Sequence, residues 1–132
     1  MVHNESFDDI EVTIKGHVAI IEIQRPPHNF FDYSLIQQIA SAMEGVDKDS
    51  NLRAAVLCAQ GKSFCAGANF NSDGTSSNQS GGSDTADRSS HLYVEAVRLF
   101  ATKTPIVGAI QGAAIGGGFG LSLVPDFRVA CP

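Results

Sequence analysis

The sequence predicts an α/β domain built on a largely parallel sheet. Two short apolar runs, Ala54–Ala59 and Ile106–Ile110, are each bounded by polar residues, which is the pattern of strands buried inside a parallel sheet. Around them apolar residues recur at helical spacing, and the order strand, loop, helix recurs along the chain without an internal sequence repeat. With 132 residues, of which 43% are hydrophobic and 17% charged, the chain fits one globular domain with enough apolar surface for a core.

Ile10, Val12 and Ile14 alternate with polar residues, as in a strand with one buried face. After Lys15-Gly16-His17, the run Val18–Ile23 is apolar at nearly every position, so the two segments read as a hairpin whose second strand is buried on both faces. Arg25-Pro26-Pro27-His28-Asn29 ends that strand in a loop, because proline donates no ladder hydrogen bond and restricts the residue before it. From Tyr33 to about Val46, the residues Leu35, Ile36, Ile39, Ala40 and Met43 give an amphipathic helix behind Asp32, which is placed to cap its first turn.

Beyond the strand at Ala54–Ala59, residues 71–90 contain one apolar residue, Ala86, and bury too little surface to offset the entropy of ordering. They read as a flexible surface loop within the domain, since strand and helix signals resume after them. An interdomain linker is the alternative. Leu92, Tyr93, Ala96, Val97, Leu99 and Phe100 form a second helical face, which Thr104-Pro105 ends. Ile106–Ile110 then leads into a glycine-rich stretch, a short helix near Phe119 to Leu123 and a strand at Phe127–Ala130.

Composition removes several classes of function. The net charge is −5 and Lys and Arg do not cluster, which argues against nucleic-acid and anionic-membrane partners. Three cysteines, widely spaced and without a C-x-x-C pair, signal neither a disulfide framework nor a zinc site. No leader-like N-terminal segment and no apolar run of membrane-spanning length is present, so a reduced cytoplasmic location is expected.

The candidate site lies in two small-residue loops. Gly112 to Gly120 reads GAAIGGGFG, and its three successive glycines allow backbone N–H groups to approach a ligand closely. The dinucleotide fingerprint and the P-loop spacing are both absent. Gly61-Lys62-Ser63-Phe64-Cys65 lacks the last glycine of a nucleophile elbow. The second loop, Ser63 to Asn69, also follows a predicted buried strand. Two such loops at the same end of neighbouring parallel strands would direct N–H donors from Ala68 and from the glycine run toward one point, as an oxyanion hole requires. A phosphate-binding α/β domain is a further reading of the same glycines. His17, at a hairpin turn, and His91, at a helix start, read as ordinary polar residues, and Cys65 as a packed thiol.

Arg25-Pro26, Asn29, the strand at Ala54–Ala59, GKSFCAGAN from Gly61, KTPIVGAIQGAAIGGGFGLSL from Lys103 and DFRVA from Asp126 together resemble the crotonase family, the enoyl-CoA hydratase/isomerase superfamily. The resemblance covers nearly the whole chain apart from residues 71–90. It implies a crotonase-like spiral of ββα units, of which this chain would be the N-terminal portion before the C-terminal helices. It implies acyl-CoA thioesters as substrates and no cofactor apart from the coenzyme A of the substrate. By the same resemblance the oxyanion hole would be the backbone N–H of Ala68 and Gly117, with Arg25, Pro27, His28, Ala66, Gly67 and Gly116 along the bound substrate. A homo-oligomer, a trimer or dimer of trimers at full length, is also implied.

The departures bear on the reaction. Hydratases of this family usually carry Glu two residues beyond the glycine triplet, where this chain has Gly120, a residue that exchanges no proton. The position after AGA, often Asp, is Asn69. The expected function is therefore acyl-CoA binding with carbonyl polarisation, and the alternative is a non-catalytic binding or assembly protein.

Overall fold

A computed structural model describes residues 6–68 and 84–131, with side chains from Leu92 onward in the second segment. Among the described residues five strands and three helices follow in the order β1 (Ile10–Lys15), β2 (Val18–Ile23), α1 (Tyr33–Lys48), β3 (Ala54–Ala59), α2 (Asp84–Phe100), β4 (Ile106–Ile110), α3 (Gly117–Ser122) and β5 (Phe127–Ala130). The strands form one sheet in the order β1-β2-β3-β4-β5, antiparallel at β1–β2 and parallel thereafter. Each crossover therefore moves the chain one strand further in the same direction, and the chain winds as a spiral.

The hairpin closes at Gly16 and His17, with Lys15 paired to Val18 and Gly16 at φ 60°. α1 begins where Asp32 accepts a hydrogen bond from Leu35 N at 2.9 Å, satisfying one of the free N–H groups of the first turn. Its apolar stripe, from Leu35 through Met43 to Val46, is buried in the core with Ala19, Ile21 and Ile23 of β2 and Ala55 and Leu57 of β3. α2 packs on α1, where Arg98 Nε donates to Glu44 Oε1 at 2.8 Å and Arg98 also pairs with Glu95. Asp47 of α1 accepts from the N–H groups of Lys103 and Thr104 at 3.0 and 2.9 Å, which ties the lead-in to β4 to the same helix.

Two sequence expectations are revised. β2 was expected to be buried on both faces; instead Ala19, Ile21 and Ile23 are fully buried while Val18, Ile20 and Glu22 are half-buried. The core that includes α1 closes over one face of the strand, and apolar composition alone does not reveal how many layers cover a sheet. The polar segment 71–90 lies outside the described residues up to residue 83, but its last seven positions form the start of α2. Once Leu92, Ala96 and Leu99 dock against the core, extending the helix toward its N-terminus costs little, because nucleation has already been met.

Candidate functional site

The site is built where β2, β3 and β4 end. Parallel strands bring their C-terminal ends to one edge, and here the three outgoing loops are hydrogen-bonded into a stack. In the first contact between them, Ala66 N donates to His28 O at 2.9 Å and Phe31 N to Gly67 O at 2.8 Å, joining the β2 loop to the β3 loop. In the second, Phe64 N donates to Gln111 O, Cys65 N to Ala113 O and Ile115 N to Cys65 O, at 2.8, 3.1 and 3.0 Å. Cys65 and Ala114 form a parallel bridge there, so the two glycine-containing loops continue the sheet for one more step.

Such close stacking selects the small residues. A Cβ on Gly118 would lie 2.1 Å from Cys65 O, inside any permitted contact. Gly67, at φ 88°, combines the left-handed conformation with a similar obstruction, Ile115 O at 2.7 Å from its would-be Cβ. At Gly67, Gly112 and Gly118 the small residues are thus the sequence trace of two backbones in contact.

Between this stack, α1, α2 and α3 lies a cavity of about 410 Å³, within the range of small-molecule sites. Its wall includes Phe31, Ile36, Ala68, Leu92, Tyr93, Ala96, Leu99, Phe100, Gly117, Gly120 and Leu121. No charged side chain lines it among the described residues. Of the residues predicted from sequence, Ala68 and Gly117 reach this wall, and neither backbone N–H donates to an acceptor among the described residues. Gly120 also reaches it, and a Cβ at that position would meet nothing within 4 Å.

The other predicted residues are placed around the stack and not on the cavity wall. Pro27 and His28 are exposed at its outer rim, where the His28 ring sits 5.1 Å from that of Phe30. Ala66 and Gly67 are inside the stack, and Gly116, at φ 55°, precedes α3. Arg25 is engaged by the protein itself. Its Nη2 lies 2.6 Å from Asp9 Oδ2, and its Nη1 lies 2.9 Å from Asp32 Oδ1 and 3.1 Å from Phe30 O. The hydrogen bond from Arg25 holds the Asp9 carboxyl below the usual carboxylate range, and its pair with Asp9 raises the guanidinium pKa further.

The remaining candidates are quickly placed. His17 Nδ1 is 2.7 Å from Asn51 O at the surface. Cys65 is buried and its thiol is pushed up by burial, away from nucleophilic reactivity. Asn69 and the side chain of His91 lie outside the described residues. Among the described residues no group of three or more His, Cys, Asp or Glu converges as a metal site, and no helix is long and apolar enough to cross a membrane.

Sequence reasoning missed Phe31 and the α2 wall. The signal for the wall was present: Leu92, Tyr93, Ala96, Val97, Leu99 and Phe100 span more than one helical stripe, so the face exceeds what packing on α1 requires. Phe31 had no such signal, being one of two adjacent phenylalanines after a loop.

The one-directional α/β spiral is the fold of solved crotonase-superfamily structures. The model of the enoyl-CoA hydratase/isomerase family matches residues 13–131, and this chain belongs to that family. A solved enoyl-CoA hydratase subunit from Geobacillus kaustophilus superposes with a TM-score of 0.81 at 31% identity, covering 96% of this chain and 47% of the other. An enoyl-CoA hydratase from Shewanella pealeana gives 0.80 at 28% identity, over 94% and 47%. Among curated relatives, a Mycobacterium bovis protein named "Probable enoyl-CoA hydratase" is 36% identical over 93% of this chain and 47% of its own length. One of the same description from Mycobacterium tuberculosis is 30% identical over 96% and 48%. The chain spans about half the length of the curated relatives it matches.

Proposed function

We propose that this chain binds acyl-CoA thioesters and polarises the thioester carbonyl between the backbone N–H groups of Ala68 and Gly117. The observation that carries the reading is that both residues line one apolar cavity and neither backbone N–H has an acceptor among the described residues. In a dry site, each such donor contributes roughly 3 kcal/mol to stabilising a developing oxyanion. The apolar wall suits an uncharged aliphatic acyl group, and coenzyme A arrives as part of the substrate. The β2 loop, with Pro27 and His28 exposed at the rim, and Ala66, Gly67 and Gly116 beside the donors, accommodates the rest of the thioester. Arg25 contributes by holding that loop.

A second reading is favoured by the wall itself. The described lining carries no carboxylate, histidine or charged side chain, and Gly120 stands where the family resemblance leads one to expect Glu. On that reading the chain binds acyl-CoA without turning it over. Calorimetric titration with crotonyl-CoA and with a longer enoyl-CoA tests the shared premise: saturable binding of one or both is expected, and failure of both overturns it. Steady hydration of crotonyl-CoA by the same 132-residue protein would exclude the non-catalytic reading. Binding of free phosphate without preference for the thioester would instead favour a simple anion site.

The three unpaired cysteines support a reducing, cytoplasmic setting. Exposed Phe127 and Val129 on β5 and Val97 and Phe100 on α2 support self-association, with a trimeric assembly for the full-length protein.

A further inference from the structure

We propose that Asn29 is a positioning residue for the thioester site, its carboxamide setting the separation of the Ala68 and Gly117 amides. The inference rests on the acyl-CoA reading above. Asn29 does not line the cavity, and its side chain makes no hydrogen bond to a wall residue among the described residues, yet it is fully buried at 0% exposure. Its Nδ2 donates to Gln60 O at 2.7 Å and to Ser63 O at 2.8 Å, and its Oδ1 accepts from Arg25 N at 2.9 Å. Its backbone, at φ 49°, occupies the left-handed region that asparagine tolerates better than most side chains.

The two carbonyls it gathers bracket the turn from which both donors descend. Following Ser63, Phe64 and Cys65 bond to Gln111 and Ala113 of the β4 loop, and Gly118 N donates to Ile115 O at 2.8 Å within that loop. This path leads to Gly117. In the other direction the chain runs from Cys65 through Gly67 to Ala68, with Gly67 O held by Phe31 N two residues beyond Asn29. Asn29 thus sits upstream of both amides. A primary carboxamide supplies two donors and an acceptor here: an aliphatic side chain gives the Gln60 and Ser63 carbonyls no donor, and an ionised aspartate has none to give.

The test reads the carbonyl and not stability alone. Crotonyl-CoA is bound to the intact protein and the thioester C=O stretch is recorded by difference infrared spectroscopy, alongside thermal unfolding. For the wild type the stretch is expected to fall on binding, as two N–H donors require. Asn29→Gly keeps the left-handed conformation accessible and removes only the carboxamide. The folded variant is expected to lose about half or more of that shift. A full shift retained in folded Asn29→Gly overturns the proposal and leaves the thioester reading standing. If Asn29→Gly does not fold, Asn29→Asp keeps the size and the acceptor for Arg25 while dropping the donors, and must lose the shift likewise. Wild-type protein that binds crotonyl-CoA with no change in the stretch overturns both the thioester reading and this inference.

Discussion

Asp9 and Arg25 do not line the cavity, but their pairing is a pH-dependent part of the site's support. The carboxyl is ionised at a lower pH in the folded chain than in the unfolded one, whose value is about 3.9. Its contribution is therefore complete above that value and is lost as pH falls through the folded pKa. Asp9→Asn should lower stability at pH 7 and make no difference once both states are protonated; unfolding curves at pH 7 and pH 2 check this. A gap of equal size at both pH values would show that the pair contributes nothing through charge. Gly118 answers to sterics instead. Gly118→Ala sets a methyl against Cys65 O and should cost on the order of 1–3 kcal/mol, with acyl-CoA binding lost, as seen by denaturant titration and calorimetry.

At the scale of elements, α1 depends on one residue for its start. Asp32 caps Leu35 N and pairs with Arg25, so Asp32→Ala should destabilise the chain by about 1 kcal/mol or more, measured from the denaturation midpoint at constant slope. This cap was legible in the sequence, as were the five strands and the central parts of the three helices among the described residues, because each rests on periodicity and on terminators acting over a few residues. What local reading could not reach was set at longer range. The carboxamide of Asn29 finds partners 31 and 34 residues away, and nothing near it in the chain announces them. The half-covered outer face of β2 is a similar case, since Val18 and Ile20 are the same residues whether or not a second layer exists above them. The two glycine loops were legible as candidates because close backbone contact excludes side chains and so leaves a compositional trace.

At the scale of the molecule, the apolar surface is unevenly distributed. Phe127 and Val129 on β5 are 67% and 65% exposed, and Tyr93, Val97 and Phe100 on α2 are similarly open. Isolated exposed hydrophobics are ordinary, but the four exposed residues of β5 together are the surface proposed above for self-association. Replacing Phe127 and Val129 with Thr should shift the protein toward the monomer in sedimentation velocity without altering crotonyl-CoA affinity. An unchanged distribution of species would place the association surface elsewhere.

The sequential order of the sheet also has a consequence for synthesis. No strand inserts between two that precede it: β3 is laid on β2, β4 on β3, β5 on β4. As the chain emerges from a ribosome, each new strand meets a finished edge, and no earlier pairing has to open to admit it. Growth proceeds at one edge, that of the most recently made strand, while β1 remains the other edge throughout.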